Sequence, residues 1–518
     1  MSRQMRPVRG TIACSRSRAP TIADRLQPVA KSATLKAMHR SIRRFIHRSR
    51  RFWVIEALVV LTTLKWAILA VIAGLLAGFP TALFLLVLDN ATGIVYAQSW
   101  YFFMAPAGLF LSAFIVKKLA PDATGHGTEK VIEAIHNHGG HIAPRVVPVK
   151  MIATWITLTL GGSAGKEGPS AQIGAGVASM FSSLVRMNRA DRERFVLCGM
   201  SAGFSGVFGT PIAGALFAAE VLSIGRFSYN SLLPSLLASY VAFFVTRGLG
   251  VMHLTYSVDF IVSSEIAMMG KMVLFGLVIG GLAIIFIGML HRTERLFAKI
   301  PVSTPVKGLI GGVVLIAVVL LTGTTNYVGL GARIVDRALD GETFRGIAPF
   351  FKMLTTSVTL SSGGSGGIIM PIFFIGSTAG NYWAQITGGN VGLYSAIGMV
   401  AFLAACANTP LAAIMLAMEL FGVRTGSYGA IACTVSFLVV GHLSVYPSQV
   451  ISIKKTWFRD IDTHGVEFSF TRTGIRKMFG SFFRGYRTSD TIEKKASGQT
   501  IAEARHGRKR PQKPDNTE

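Results

Sequence analysis

The chain has 518 residues, of which 51% are hydrophobic and 15% are charged, and its formal net charge is +27. Soluble globular domains carry about 25% charged residues, so this composition excludes an ordinary soluble protein. The positive charge is concentrated at the two ends: residues 1–51 carry 14 Lys and Arg against one acidic residue, and residues 454–518 carry 15 against eight. Because basic segments stay on the cytoplasmic side of a membrane, both ends are expected to be cytoplasmic.

Residues 1–51 are predicted to form a basic N-terminal segment. Its last arginines stand directly before the first apolar run, which begins near Trp53, and this position favours contact with anionic lipid headgroups over nucleic acid. No nucleic-acid partner is therefore expected. The apolar run starts too late for a secretory signal peptide, whereas the Arg- and Ser-rich start leaves an organellar transit peptide as a minor alternative.

Long uncharged stretches dominate the middle of the chain. No Asp, Glu, Lys or Arg occurs in residues 272–290, 308–332 or 353–418, and the last run covers 66 residues. Because about 20 apolar residues cross a bilayer, that run alone accommodates two spans. Gly, Pro and Ser interrupt several stretches, which indicates broken helices around a protein-lined or water-filled pathway. The sequence thus predicts an all-α polytopic membrane protein with tilted and broken helices.

Two similar segments lie 202 residues apart. Residues 161–174 read GGSAGKEGPSAQIG and residues 363–376 read GGSGGIIMPIFFIG, so both contain G-G-S-x-G-x-x-x-P-x-x-x-I-G. A proline at the ninth position of each copy suits the first turn of a helix. Helix starts expose unpaired N–H groups and the positive end of the helix dipole. Two such starts facing each other near the bilayer centre would bind an anion without a cationic side chain.

A second match follows at an offset of 199, where residues 210–213 (TPIA) correspond to residues 409–412 (TPLA) and Glu220 to Glu419. Two ordered matches indicate a duplicated chain, and the simpler alternative is two Gly-rich helix contacts that look alike. Both glutamates end apolar stretches. A structural helix-end contact is therefore favoured for them over ion handling.

Glu167 is the one carboxylate within the first Gly-rich copy. An ionisable residue inside apolar membrane sequence is expensive to bury and is by default functional. At a helix start it would compete with a permeating anion for the same donors, and protonation would release it, so it is a candidate gate. The alternative is a fixed helix cap or a local pair with Lys166.

Residues 165–169, Gly-Lys-Glu-Gly-Pro, resemble the G-[KR]-E-G-P signature of the CLC family of chloride channels and chloride–proton exchangers, in its prokaryotic form. Residues 367–371 are similar to that family's G-x-F-x-P motif, with Ile369 in place of Phe. The resemblance covers about residues 55–455. It implies a homodimer with one anion pathway per subunit, each subunit being an inverted repeat with halves at about 52–250 and 264–453.

The resemblance also implies roles for individual residues. Glu167 takes the position of the external gating glutamate, and Tyr446 is similar to the tyrosine whose hydroxyl lines the central site. The backbone amides around Gly168, Ile368 and Ile369 fall where the family coordinates its anion. The implied anion-binding residues, which come from helix starts and one loop, are His126, Gly127, Lys166, Gly168, Ile368, Ile369 and Tyr446.

The family's first motif, G-S-G-I-P, is represented by residues 125–129, so His126 replaces the usual serine. Its ring could donate to the anion and titrate near physiological pH. It could instead only cap the helix that begins at Thr128, while backbone N–H groups bind the anion. The backbone interpretation is preferred.

Many exchangers of this family carry a proton-transfer glutamate immediately after the position of Glu220, where this chain has Val221. This difference favours a voltage- or pH-gated chloride-like anion channel, with a proton-coupled chloride antiporter as the alternative and an unrelated organic-anion transporter as a more distant one. The intact G-K-E-G-P pattern disfavours fluoride as the ion.

Neither enzymatic activity nor a metal or cofactor is predicted, since the four cysteines are far apart and the carboxylates lack ligand clusters. Residues 52–453 are expected to form the transmembrane domain of a bacterial inner-membrane protein. Residues 454–518 are expected to be a basic cytoplasmic tail that is too short for nucleotide-binding modules.

Overall fold

The computed structural model describes residues 22–253, 256, 258, 260 and 264–452, with side chains from residue 53 onward. Most of the two predicted basic tails therefore lies outside the described residues. The chain divides into two units, one ending at Ile68 and the other beginning at Leu69. The contacts and the candidate site described below belong to the second unit.

The described part of the first half contains eight α-helices: α1 (Ile22–Tyr96), α2 (Ala105–Leu119), α3 (Thr128–His138), α4 (Val146–Thr159), α5 (Glu167–Leu184), α6 (Arg189–Phe208), α7 (Pro211–Glu220) and α8 (Tyr229–Gly248). The described part of the second half adds eight more: α9 (Glu265–Lys299), α10 (Thr304–Thr322), α11 (Ala332–Leu339), α12 (Ala348–Ser361), α13 (Ile369–Thr387), α14 (Val391–Ala407), α15 (Pro410–Phe421) and α16 (Val423–Val440). Short 3₁₀ helices cover Tyr101–Met104 and Pro121–Ala123. The strands β1 (Ser223–Ile224) and β2 (Val450–Ile451) pair in parallel.

Six of the helices in the described part are long and apolar enough to cross a membrane. They are the Trp53–Tyr96 part of α1, the Tyr101–Leu119 segment that contains α2, α8, α9, α10 and α16. The shorter apolar helices α4, α7, α14 and α15 are too short to do so alone. The predicted all-α membrane fold with incomplete helices is confirmed.

The helices of the two halves correspond in order. The starts of α4, α5 and α6 at residues 146, 167 and 189 recur 202 residues later, at 348, 369 and 391, as the starts of α12, α13 and α14. Proline sets several of these starts, as at Pro211 of α7 and Pro410 of α15, because its fixed φ and missing N–H suit the first turn.

The two halves meet in antiparallel orientation at their Gly-rich copies. Gly165 and Gly367 form an antiparallel bridge, and each donates its N–H to the carbonyl of the other at 2.7 Å. The backbone N–H of Ser163 donates to the Thr359 hydroxyl at 3.0 Å. The equivalent bond, 202 residues on, uses the backbone N–H of Ser365 and the hydroxyl of Thr157, at 3.1 Å. The predicted inverted repeat is thus a property of the fold.

Glu220 and Glu419 complete helix starts between the two halves. The Glu419 carboxylate accepts hydrogen bonds from the N–H groups of Ile212 (3.0 Å) and Ala213 (2.8 Å) at the start of α7. The Glu220 carboxylate does the same for Leu411 (3.1 Å) and Ala412 (2.9 Å) at the start of α15. The predicted structural helix-end contact is confirmed.

Aromatic packing links the halves behind this junction. Phe208 at the end of α6 lies against Phe373 of α13, with ring centroids 5.2 Å apart. Phe204 and Phe217 stack at 4.5 Å beside them and are fully buried. The helix starts are therefore held by a rigid apolar core.

Candidate anion-binding site

The starts of α3, α5 and α13 meet at glycines. A Cβ atom at Gly168 would lie 2.2 Å from the carbonyl oxygen of His126 and 3.0 Å from the Cα atom of Gly367. A Cβ atom at Gly127, whose φ is +75°, would lie 2.4 Å from the Gly168 carbonyl oxygen. Because any side chain would separate the helices, glycine is what allows these backbones to meet.

Backbone N–H groups without partners surround this junction. Helix α5 begins at Glu167 and helix α13 at Ile369, so the first N–H groups of both have no carbonyl partner within their own helix. Within the described part of the chain, the N–H groups of Gly168, Ile368 and Ile369 donate to no other residue. The structure thus brings these three predicted residues together at the positive ends of two helices.

The Glu167 side chain lies at the same junction and is 1% exposed. Its Oε2 atom accepts a hydrogen bond of 3.2 Å from the N–H of Met370 in the first turn of α13. Its Oε1 atom is buried and has no hydrogen-bond partner among the described residues. A carboxylate of the first half therefore accepts a hydrogen bond from an N–H group of the second half.

Lys166 differs from the other predicted anion contacts. Its side chain is 23% exposed, and its Nζ atom lies 3.3 Å from the Oδ1 atom of Asp89, a residue of α1 that is 54% exposed. The ammonium group is therefore paired with α1, and the local pair with Glu167 that the sequence left open is not what the structure shows. Ion pairs this exposed contribute about 0–1 kcal/mol to stability.

Tyr446 lies in the segment that follows α16 and is 1% exposed. Its N–H donates to the Ser444 hydroxyl at 3.0 Å, which fixes the backbone. The phenol lies beside Thr128 and close to the charges of Glu129 and Glu167. Over the described residues, its hydroxyl oxygen makes no hydrogen bond of normal geometry. This side chain therefore reaches the junction with an unpaired polar atom.

The His126 ring points to carboxylates. Helix α3 begins at Thr128, as predicted, but its N-cap is Gly127. The alternative that the ring caps this helix is wrong, because Nδ1 lies 3.4 Å from Glu129 Oε2 and Nε2 lies 3.8 Å from Glu294 Oε1. Glu294 stands 168 positions away in sequence, so no local pattern predicted this contact.

Between α9 and the segment of Tyr446 lies a cavity of about 390 Å³ that the sequence did not predict. Its walls include Tyr446 at the buried end and the exposed residues Arg292 and Arg295 of α9 at the other.

Val221 is fully buried, and its carbonyl accepts a hydrogen bond from the Gln449 side chain at 2.8 Å. A buried apolar side chain therefore stands at the position after Glu220.

Known proteins are similar to this chain in sequence. The family model described as voltage gated chloride channel matches residues 108–441. A chloride/fluoride channel protein of Pseudomonas syringae pv. tomato is 35% identical over 400 residues, which cover 76% of this chain and 87% of that protein. The H(+)/Cl(-) exchange transporter ClcA of Yersinia pestis bv. Antiqua (strain Angola) is 28% identical over 338 residues, which cover 62% of this chain and 70% of that transporter.

Solved structures show the same fold. The crystal structure of a CLC-type fluoride/proton antiporter superposes with a TM-score of 0.71 at 29% identity and covers 75% of this chain and 98% of its own. A slow cyanobacterial Cl-/H+ antiporter superposes with a TM-score of 0.64 at 20% identity, over 73% of this chain and 94% of its own. Together with the family match, these findings show that the chain is an integral membrane protein that belongs to the CLC family of voltage-gated chloride channels and anion transporters.

Proposed function

We propose that this protein exchanges protons for an inorganic anion, chloride or fluoride, and that Glu167 alternately carries the proton and occupies the anion's site. The observation that carries the proposal is the buried Glu167 carboxylate, which accepts a hydrogen bond from Met370 N–H in the other half. A group with a full negative charge sits where helix starts favour an anion.

Competition between the carboxylate and the anion gives the coupling. While Glu167 is ionised, its charge lies at the positive ends of the two helices, and its Oε2 atom accepts the Met370 N–H. Protonation removes the charge and weakens this interaction, so the side chain leaves and an anion can take its place beside the unpaired N–H groups of Gly168, Ile368 and Ile369. Because one site cannot hold the carboxylate and the anion together, proton binding and anion binding are linked.

The presence of Val221 in the sequence favours a channel, but the names of the relatives favour antiport. ClcA is described as an H(+)/Cl(-) exchange transporter, and the similar crystal structure is of a fluoride/proton antiporter. The Pseudomonas relative is named a chloride/fluoride channel protein, which keeps a channel as the second candidate. The relatives' names also support fluoride beside chloride, although the intact G-K-E-G-P pattern disfavours it.

We further propose a homodimer in a bacterial inner membrane, with residues 52–453 as the transmembrane domain and both termini cytoplasmic. Glu167, Ile369 and Tyr446 come from one chain, which supports a complete anion pathway in each subunit. Intersubunit cross-linking in the native membrane tests the dimer. Labelling of cysteines introduced near each terminus, in intact and in opened vesicles, tests the orientation.

Reversal potentials of the purified full-length protein in planar bilayers test the proposed function. With symmetric chloride and a pH gradient, an exchanger shows a reversal potential away from zero because protons contribute to the current. A reversal potential of zero would establish the channel instead. The same measurement in symmetric fluoride determines whether one or both anions are coupled to protons.

A further inference from the structure

His126 lies between two carboxylates that come from different helices. Its side chain is 4% exposed, with Nδ1 at 3.4 Å from Glu129 Oε2 of α3 and Nε2 at 3.8 Å from Glu294 Oε1 of α9. Glu129 is 20% exposed and Glu294 is 38% exposed. One ring thus joins a nearly buried carboxylate to one that reaches solvent.

The arrangement is unusual for a histidine that only fills space. A structural imidazole in a protein interior has its nitrogens satisfied by hydrogen bonds, whereas Nδ1 of His126 has no bond of normal geometry among the described residues. In that part of the chain, neither Glu129 nor Glu294 forms an ion pair with a Lys or Arg. Two acids and one base this close share protons as a coupled group.

The surroundings contain groups of both signs. The charged and titratable groups around the cluster, taken from every element near it, are Lys130 of α3, Lys150 of α4, His291 and Arg295 of α9, and Tyr446. Lys150 donates to the Gly125 carbonyl at 2.8 Å, so its charge lies beside the backbone that carries the ring. The cluster can therefore hold a variable number of protons without leaving an isolated negative charge.

The cluster stands between solvent and the junction that holds Glu167. On one side, Glu294 belongs to the same turns of α9 as His291 and Arg295, which line the cavity described above. On the other side, Glu129 and Glu167 both lie close to the Tyr446 phenol. The basic end of α9 makes the solvent side cytoplasmic by the positive-inside rule.

We propose that Glu294, His126 and Glu129 form the internal proton-transfer site of this protein, which loads and unloads Glu167 from the cytoplasmic side. The proposal rests on the proposed antiport function. Val221 takes the position at which many exchangers of this family carry a proton-transfer glutamate, and it is apolar and buried, so the protons need another route. This route uses a side chain of α9.

In each proton transfer, the His126 ring gains one proton and loses one. The neutral ring takes a proton from the Glu294 carboxyl group at Nε2 and becomes an imidazolium ion. It then releases the Nδ1 proton to the Glu129 carboxylate and is left as the Nε2–H tautomer. The first tautomer returns when the ring gains a proton at Nδ1 and loses the Nε2 proton, either to solvent water or by passage of a proton in the reverse direction. No other bond forms or breaks, and the proton then passes from Glu129 toward Glu167.

The competing interpretation is that the imidazolium ion is only an anion ligand. In that case its two carboxylate neighbours hold its charge, and their loss would change anion affinity. A proton-transfer site predicts a different result: the anion continues to move, and the number of protons carried per anion falls. The ratio of proton flux to anion flux therefore separates the two.

The test uses the full-length protein in liposomes, with chloride release and proton uptake recorded together for wild type, E294Q and E129Q. We expect each variant to lower the proton flux at least tenfold while it keeps anion flux within about threefold of wild type. Glu294 is partly exposed, so E294Q preserves packing, and the remaining anion flux reports that each variant is folded. The matched control is E133Q, which removes a carboxylate of α3 that is paired with Lys130 at 2.7 Å outside the cluster.

The outcomes distinguish the two proposals. Wild-type protein that moves chloride and fluoride with no protons would overturn the antiport function, and with it this proposal. Wild-type coupling that survives intact in both E294Q and E129Q would overturn the internal site alone. A change in anion affinity with an unaltered proton-to-anion ratio would overturn it in favour of a purely ligand role for His126.

Discussion

Gly165 and Gly367 exchange two backbone hydrogen bonds of 2.7 Å across the junction of the two halves. This pairing fixes the start of α5 against the start of α13, and it brings the N–H of Met370 to the carboxylate of Glu167. The gating side chain and its donor therefore belong to different halves, and their distance is set by backbone pairing.

G168A should disrupt the junction. Its new Cβ atom would meet the His126 carbonyl at 2.2 Å and the Gly367 Cα atom at 3.0 Å, and neither is the end of a flexible side chain. Overpacking of this kind costs about 1–3 kcal/mol. We expect a lower melting temperature in detergent and loss of most anion flux.

G270A is the control for this prediction. Gly270 lies in α9, and nothing lies within 4 Å of the position its Cβ would take. Alanine in a helix is favoured over glycine by about 1 kcal/mol, so G270A should melt at or above the wild-type temperature. Equal thermal stability of G168A and G270A would contradict the tight junction.

E167Q should abolish the pH dependence of anion flux and stop proton movement, while anion flux itself persists. Glutamine has a similar shape, and its carbonyl can accept the Met370 N–H, but it does not titrate near neutral pH. The measurement is anion efflux from liposomes at two pH values. E193Q, in an exposed ion pair with Arg189, serves as the control, and a pH profile shared by E167Q and wild type would remove Glu167 from the mechanism.

E419A and E220A should destabilise the protein without changing the proton-to-anion ratio. Each removes a carboxylate that accepts two N–H groups at a helix start of the other half. Loss of a helix cap costs about 0.5–2 kcal/mol. Thermal unfolding in detergent measures the loss, and E133A, which breaks a partly exposed ion pair, should change the melting temperature least. A normal melting temperature with altered coupling would show that these residues handle ions.

Y446F should weaken anion binding without lowering stability. In the described structure the hydroxyl is buried and has no partner of normal geometry, so its removal leaves no orphaned donor and relieves a desolvated group. Isothermal titration with chloride measures the affinity, and the melting temperature is recorded in parallel. A lower melting temperature with unchanged affinity would assign the hydroxyl to folding.

Much of the fold was predictable because the chain carries its pattern twice. The prolines at 169 and 371 predicted helix starts, and α5 and α13 begin two residues before them, at Glu167 and Ile369. Glycines without side chains predicted a close approach of these backbones, which the structure shows at Gly168. These features are local, so sequence spacing is sufficient to find them.

The partners of charged side chains were not predictable in this way. Lys166 pairs with Asp89, 77 positions earlier, and His126 faces Glu294 on a helix of the other half. Such pairs depend on how helices cross, and a single sequence carries no periodic signal for a crossing. The proton-transfer proposal accordingly rests on tertiary contacts, whereas the gating proposal began from a motif.

The crossed bonds of Glu220 and Glu419 have a consequence for the origin of the molecule. Each half leaves the start of one of its own helices incomplete and supplies the carboxylate that completes the equivalent helix in the other half. A half-length ancestor would have had to associate with a second copy inserted in the opposite direction to satisfy those N–H groups. In the present chain, both orientations are held together in one molecule.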